Sequence, residues 1–244
     1  MRKTFLLLPF AASCAGPAVW SSATPTPAAA TSRMQPEIHW TRNSAEHKAI
    51  FLQTYRLADE QLRNTMRTAK LARWAVILDA DETVLDNSTY QKRRADMDSA
   101  YSEASWNAWV AERAAPALPG AAEFTRTVKE LGGKVIIVTN RDESGCPATR
   151  QNLSAVGIPA DLVLCKPAGP SDKNPRFRAV QEGTASPSMP AHTVVMWVGD
   201  NILDFPMMSQ AARDSAQTVF NDYGRRFVLL PNPMYGSWER NTYK

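Results

Sequence analysis

The residues best suited to chemistry are two aspartates, Asp79 and Asp81, which directly follow an apolar run at 74–78. That run is short and has no polar alternation, so it predicts a buried parallel strand. Side chains two positions apart share a face of an extended chain, so both carboxylates can address one ligand. Asp79 can attack phosphorus to give an aspartyl-phosphate, while Asp81 serves as the proton donor and acceptor. For this pair alone, a glycosyltransferase metal site and a plain acidic turn are the alternatives.

A second apolar run, 134–138, ends in Thr139 and Asn140. A hydroxyl and backbone N–H groups at that position can hold the oxygens of a phosphoryl group. The backbone N–H of Ala80, between the two aspartates, is expected to do the same. Because the carboxyl ends of parallel strands meet at one edge of an open α/β sheet, we expect one phosphate site there.

A third apolar run ends in Gly199 and Asp200, and Asp204 follows four residues later. We expect Gly199 to adopt an unusual backbone angle at the strand exit. Converging carboxylates would repel a phosphate dianion, since like charges 4 Å apart cost about 4 kcal/mol at an effective dielectric near 20. Mg²⁺ bound to Asp79, the Asp81 backbone carbonyl and Asp200 would reverse that repulsion. Asp204 would lie within reach of the same ion.

Two lysines compete to supply the remaining positive charge. Lys166 ends the apolar run 161–165, whereas Lys173 lies in the segment 171–177, which predicts the start of a helix. The residue pattern alone leaves both open.

The stretch from about residue 77 to 239 resembles the bacterial class C acid phosphatases, the lipoprotein 5′-nucleotidase family of the haloacid dehalogenase (HAD) superfamily. The segments that carry the resemblance are LDADETVLDN at 78–87 with Tyr90, WNAW at 106–109, VGDNILDF at 198–205 and FVLLPNPMYGSWE at 227–239. The resemblance implies an α/β fold, a Rossmann-like HAD core with a central parallel sheet flanked by helices, plus a small, mainly α-helical cap. In that family the catalytic lysine lies in an S-x-K-x-x-R-F-like segment, which implies Lys173, with Lys166 as the fallback.

The resemblance also implies a function. It is Mg²⁺-dependent hydrolysis of nucleoside 5′-monophosphates and other small phosphomonoesters through an aspartyl-phosphate. Residues matching Trp106 and Tyr235 sandwich the base in that family, and base stacking tolerates any base because every base has a π-face. The ring of Tyr235, rather than its hydroxyl, is expected to stack. The alternative for Trp106 is a core stripe shared with Trp109, and for Trp109 we expect the core.

Other functions stay open on the sequence. The same site would suit a phosphatase or phosphotransferase for a non-nucleotide ester. A surface lipoprotein that only binds is a third alternative, but a binder needs no nucleophile. Basic residues are scattered rather than clustered, so binding of a nucleic-acid polymer is not expected. A homodimer is compatible with the sequence. The Pro/Ser-rich stretch 185–190 predicts a surface loop whose effect on the cleft stays open.

The amino-terminal sequence predicts that the protein is located in the cell envelope. Residues 1–13 have a basic start and an apolar centre too short to span a membrane, which is typical of a signal peptide. The following Cys14 ends a lipobox-like sequence and is the predicted lipidation site, with cleavage by an ordinary signal peptidase as the alternative. We therefore expect an outer-membrane lipoprotein facing the periplasm or surface, or else a soluble periplasmic protein.

The rest of the chain divides into a tether and one domain. Residues 14–40 predict a lipidated tether, and residues 41–244 a phosphatase domain with a cap insertion at about 86–119. Ser44 predicts the cap of a helix that ends near residue 71. Cys146 and Cys165 follow neighbouring predicted elements, and both a disulfide and two unpaired thiols are open.

Overall fold

The computed structural model describes residues 35–242. The predicted signal peptide, Cys14 and most of the predicted tether therefore lie outside the described residues. At the centre is a parallel five-stranded sheet of order β3-β2-β1-β4-β5. Its strands are β1 (Trp74–Leu78), β2 (Lys134–Asp142), β3 (Leu162–Lys166), β4 (Thr193–Gly199) and β5 (Phe227–Leu229). This confirms the predicted α/β fold with a central parallel sheet.

Seven α-helices flank the sheet in the described part of the chain. They are α1 (Pro36–Asn43), α2 (Ala45–Thr68), α3 (Ser88–Asp96), α4 (Glu103–Glu112), α5 (Ala121–Glu130), α6 (Cys146–Ala155) and α7 (Asn174–Glu182). The hydroxyl of Ser44 caps α2 by accepting a hydrogen bond from the backbone N–H of His47 at 3.0 Å. The predicted helix therefore begins where the cap residue indicated.

Both faces of the sheet are covered, which explains the continuous apolar runs of its central strands. In β1, Val76 and Leu78 face a core built with α2, α5 and α6. Ala75 and Ile77 point the other way, toward a core that contains side chains of α7 and aromatic residues of the last strands. A continuous apolar run is therefore the signature of these central strands.

The segment predicted as the cap insertion contains α3 and α4. Its two ends are held together, because Asp86 N donates to Pro116 O at 2.9 Å and Leu118 N donates to Val84 O at 3.0 Å. The segment thus leaves and rejoins the core at one place. Its boundaries as a separate cap stay a prediction.

Cys146, at the start of α6, forms a disulfide with Cys165 in β3, with 5.9 Å between their Cα atoms. The bond answers the question that the sequence left open. Most of the Pro/Ser-rich stretch is at the surface, but Met189 within it is buried against the α7 side of the sheet. Within residues 35–242, no helix has the length and apolar character needed to cross a membrane.

Candidate active site

The carboxyl ends of β1, β2 and β4 bring the predicted site residues to one edge of the sheet. Leu78 is level with Ile137 of β2 and with Val198 of β4. The backbone N–H of Asp79 still donates to Val198 O at 3.0 Å, so β1 stays paired as it ends. The polar residues that follow each strand therefore begin at the same height, as the sequence predicted.

Lys173 is the lysine that the fold brings to Asp79. Its Nζ lies 2.6 Å from Asp79 Oδ1 and 2.6 Å from Asp204 Oδ1, and the side chain is only 4% exposed. Burial alone would lower the pKa of Lys173, but the carboxylates of Asp204 and Asp79 raise it above its ordinary value. Lys166 instead pairs with Asp142 at 3.0 Å. A permanent ammonium thus lies between two of the predicted acids.

Three carboxylates form a cluster that suits a hard cation. Asp79, Asp200 and Asp204 each offer an oxygen within 4.8 Å of the others. Burial raises the pKa of Asp79 to about 7, although Lys173 acts in the opposite direction. Burial, with Asp204 and Asp79 nearby, also raises the pKa of Asp200 well above its usual range. One lysine therefore does not balance the cluster, and oxygen donors of this kind match the preference of Mg²⁺.

Asp200 and Asp204 have different surroundings. Asp200 accepts hydrogen bonds from the Thr83 hydroxyl at 3.1 Å and from Asn232 Nδ2 at 2.9 Å. Asp204 Oδ2 accepts from the backbone N–H of Asn201 at 2.8 Å, while its Oδ1 faces Lys173. Asp204 therefore holds both the lysine and the turn after β4. Asn232 was not predicted as a site residue from the sequence.

The expectation for Gly199 was wrong in its physical reason. Its φ is not in the left-handed region. A Cβ at this position would lie 2.3 Å from the Cβ of Asp204 and 2.4 Å from its Oδ2. Glycine is required here because the Asp204 side chain packs directly against the backbone.

Asp81 is held by an arginine that the sequence analysis did not single out. Arg141 Nη2 and Nε donate to Asp81 Oδ1 at 2.7 and 2.9 Å, and Asn87 Nδ2 donates to the same oxygen at 2.9 Å. Among residues 35–242, the one donor to Asp81 Oδ2 is Arg141 Nε, at 3.2 Å. Arg141 itself is 1% exposed. The signal that the sequence analysis missed is the charged residue Arg141 at the end of the second apolar run. The strand β2 continues past Val138 to Asp142 and therefore includes it.

A second arginine supports the end of β2. Arg176 in α7 donates through Nη1 to the carbonyl of Thr139 at 2.5 Å and through Nη2 to Asn140 Oδ1 at 2.6 Å. The Thr139 side chain is fully buried, and its hydroxyl accepts a hydrogen bond from Arg141 N at 3.2 Å. Asn140 is exposed. Arg176 thus orients the two residues that were predicted to bind the phosphoryl group.

The turn after Asp79 is tightly closed. Ala80 is fully buried, and its carbonyl accepts from the backbone N–H groups of Val84 and Leu85 at 3.0 and 2.9 Å. Glu82 lies in the left-handed region at φ 50° and is 3% exposed. Burial first, and the nearby carboxylates, raise the pKa of Glu82 well above its usual range. This buried acid had no role in the sequence analysis.

Each predicted stacking residue contacts a residue of this site. Trp106 is half-buried, 5.1 Å from the Tyr90 ring, and the Arg141 guanidinium lies 5.6 Å from its centroid. Tyr235 is also half-buried, and its hydroxyl donates to Glu82. Trp109 is 3% exposed, so it belongs to the core as expected.

Comparison with known proteins places these residues in context. Residues 15–238 match the acid phosphatases of HAD superfamily subfamily IIIB. The chain is also similar to the structure of the class C acid phosphatase from Bacillus anthracis, with 29% identity and a TM-score of 0.72. A structure of that protein with tungstate bound gives 29% identity and a TM-score of 0.74. Each match covers 83% of this chain and 85% of the other.

Proposed function

The chain belongs to the acid phosphatases of HAD superfamily subfamily IIIB, and from that premise we propose that it hydrolyses nucleoside 5′-monophosphates through an aspartyl-phosphate. Membership of this family makes it a phosphomonoesterase. The observation that carries the mechanism is the buried contact of Lys173 with Asp79, at 2.6 Å. A buried ammonium beside a strand-end carboxylate suits the placement of a phosphate dianion there.

Asp79 is the proposed nucleophile. Its carboxylate attacks phosphorus, an Asp79 O–P bond forms, and the ester P–O bond breaks. Asp81 gives its proton to the leaving oxygen, so the alcohol departs neutral. Water then attacks the aspartyl-phosphate, Asp81 takes a proton from that water, and inorganic phosphate and free Asp79 result. Oδ2 of Asp81 is the atom proposed for both transfers, because Oδ1 is occupied by Arg141 and Asn87.

The phosphoryl group is proposed to be held by groups that surround Asp79. Lys173 supplies positive charge, and Thr139, Asn140 and the backbone N–H of Ala80 supply hydrogen-bond donors. Arg176 keeps the end of β2 in place through its contacts with Thr139 and Asn140. Preorganised donors of this kind contribute a large share of the barrier reduction in phosphoryl transfer.

The carboxylate cluster is proposed to hold Mg²⁺. The residues that would bind it are Asp79, Asp200 and the backbone carbonyl of Asp81, with Asp204 close to the same position. When bound, the ion would offset the charge of the acids and of the substrate, which suits the raised pKa values of Asp79 and Asp200.

Recognition of the base is proposed to come from Trp106 and Tyr235. The Tyr235 hydroxyl donates to Glu82, the neighbour of Asp81, and the Trp106 ring lies near Arg141, which holds Asp81. Stacking serves every base. The tungstate in the Bacillus anthracis structure is an oxyanion, as phosphate is, which supports a phosphate site in this family. A phosphatase or phosphotransferase for a non-nucleotide ester is the second candidate, because it would use the same Asp79, Asp81 and Lys173.

The test is release of inorganic phosphate from AMP, 3′-AMP, an aryl phosphate and glycerol phosphate, with Mg²⁺ and after chelation. We expect activity to need the metal and kcat/KM to be highest for AMP. Trp106→Ala should lower kcat/KM for AMP by about 5- to 150-fold, the equivalent of roughly 1–3 kcal/mol of stacking. Glycerol phosphate, which has no ring, should lose much less.

Two results would contradict the proposal. Equal losses for AMP and glycerol phosphate in Trp106→Ala would make Trp106 a packing residue. Transfer of phosphate to an added alcohol at a rate above hydrolysis would favour a phosphotransferase. Asp79→Asn protein is the control for contaminating phosphatase in every assay.

A further inference from the structure

The C-terminal segment that carries Tyr235 is fastened to the active-site edge at several points. Leu230 N donates to Gly199 O at 2.9 Å, Asn232 Nδ2 to Asp200 Oδ2 at 2.9 Å, and the Ser237 hydroxyl to Asn201 Oδ1 at 2.7 Å. These contacts hold the backbone on both sides of Tyr235. These contacts do not involve the Tyr235 ring, so its position depends on the contacts of its own side chain.

The ring has such a contact at its far end. The Tyr235 hydroxyl donates to Oε2 of Glu82, across 153 positions of sequence. A stacking platform whose two ends are both held loses little side-chain entropy when a base binds. The hydroxyl therefore has a use beyond the stacking surface that the ring provides.

Glu82 is well placed to serve as a fixed anchor. Its Oε1 accepts from the backbone N–H of Asn87 at 2.9 Å, and its Oε2 accepts from Asn87 Nδ2 at 3.2 Å. Asn87 is itself fixed, because Trp109 Nε1 donates to its side-chain oxygen at 2.8 Å. The carboxylate is buried, and Glu82 is a non-glycine residue in the left-handed region, at φ 50°. Such unusual backbone angles cluster at functional sites.

We propose that Glu82 is a positioning residue for substrate recognition, which acts by holding the Tyr235 hydroxyl and so fixing the ring on which the base stacks. The inference rests on the stacking role of Tyr235 proposed above. It also gives an expectation for Tyr235→Phe. Phenylalanine keeps the ring but loses the anchor, so the variant should bind nucleotides less well than the wild type.

The experiment compares Tyr235→Phe with the wild type on AMP and on glycerol phosphate. The loss of kcat/KM for AMP should exceed the loss for glycerol phosphate by about 3- to 10-fold, because an unfixed ring must be ordered on binding. This extra loss should appear in KM for AMP rather than in kcat. Tyr223→Phe is the matched control, since within residues 35–242 the buried Tyr223 hydroxyl has no hydrogen-bond partner. That control should leave both substrates unchanged.

A double-mutant cycle links the effect to Glu82. Glu82→Gln should also lower the ratio of kcat/KM for AMP to kcat/KM for glycerol phosphate. The same change made in the Tyr235→Phe variant should lower this ratio no further. The ratio removes any loss of chemistry that both substrates share. Additive effects of the two changes would overturn the proposal, as would a ratio in Tyr235→Phe equal to that of the wild type.

Tyr235→Ala separates this inference from the proposed function. If it lowers the ratio while Tyr235→Phe does not, the ring stacks without the anchor, and only the role of Glu82 is wrong. If Tyr235→Ala leaves the ratio unchanged, Tyr235 does not bind the base, and the stacking proposal fails together with the inference. Melting temperatures of all variants should stay close enough to the wild type for each assay to report folded protein.

Discussion

Asp81 and Arg141 show how one side chain can be held in place and still be free to act. The guanidinium uses two N–H groups on Asp81 Oδ1, and Oδ2 keeps a single longer contact. Arg141 is also within 5.6 Å of the Trp106 ring centroid. The proposed proton donor and one proposed stacking residue therefore share a neighbour. In the proposed reaction, Arg141 would therefore lie near both the group that protonates the ester oxygen and a group that stacks on the base.

Asp81→Asn tests the proton-transfer role. Asparagine has nearly the same shape but cannot give up a proton in this way, so kcat/KM should fall by about 100-fold or more for AMP. The loss should be much smaller for 4-nitrophenyl phosphate, whose leaving group needs little protonation. The value of kcat/KM depends only on the steps up to release of the alcohol or phenol. Hydrolysis of the aspartyl-phosphate, which Asp81→Asn should also slow, therefore does not mask this difference. Rates with both substrates provide the measurement.

Asp79→Asn is the comparison for that experiment. A missing nucleophile should abolish turnover of both substrates alike. Equal losses of kcat/KM for AMP and 4-nitrophenyl phosphate in Asp81→Asn would mean that Asp81 does not protonate the leaving oxygen.

Single residues also show where sequence reasoning ends. The meeting of Asp79, Asp200 and Lys173 at one edge of the sheet could be predicted, because each residue has a local signal, either a buried strand before it or a motif of the family. The contacts Arg141–Asp81 and Tyr235–Glu82 join residues 60 and 153 positions apart. No local pattern predicts which of the many polar residues will meet at such separations. Only the folded chain brings these partners together.

At the scale of elements, the strands were the most predictable part. Runs such as 74–78 are buried on both faces, so their composition alone indicates a central parallel strand. Where a strand stops was harder, because β2 continues to Asp142 through polar residues. The carbonyl of Leu164 in β3 and that of Thr139 both accept from Arg176, which shows that tertiary contacts stabilise this extension.

The disulfide between Cys146 and Cys165 joins α6, the helix that follows β2, to the strand β3. It closes a loop over 19 positions, for which the chain-entropy treatment gives about 3 kcal/mol of stabilisation. Replacing both Cys146 and Cys165 by Ser should therefore lower Tm by roughly 6–12 °C, at 2–4 °C per kcal/mol for a domain of this size. Thermal unfolding with and without reductant is the measurement.

Activity supplies the matching readout for that variant. Within the described residues, Cys146 contacts Cys165 and the carbonyl of Val163, and both cysteines lie outside the proposed site, so kcat at 25 °C should stay within about twofold of the wild type. An unchanged Tm in the double variant, or free thiols found at Cys146 and Cys165 in the unfolded, unreduced wild type, would show that the bond does not form in the protein.

At the scale of the whole molecule, the catalytic edge is assembled from residues between Asp79 and Tyr235. The described part of the chain offers no helix able to cross a membrane. Cys14, which precedes the described residues, ends the lipobox-like sequence. We propose that Cys14 is lipidated and that the residues between Cys14 and α1 tether the domain. The last residues of the predicted tether 14–40 belong to α1. Stable attachment needs more than one acyl chain, which a lipoprotein-type modification supplies.

Cys14→Ser should remove this anchor without affecting catalysis. In a host that processes lipoproteins, the wild type should take up radioactive palmitate and partition with membranes, while Cys14→Ser should take up none and yield soluble or unprocessed protein. The Cys146→Ser, Cys165→Ser variant is a matched control, because it removes the other two cysteines of the sequence and should keep the label. Specific activity of Cys14→Ser should match that of the wild type, because the proposed site lies entirely within the folded domain. A wild type that takes up no palmitate and fractionates as soluble periplasmic protein would show that residues 1–13 are an ordinary cleaved signal peptide.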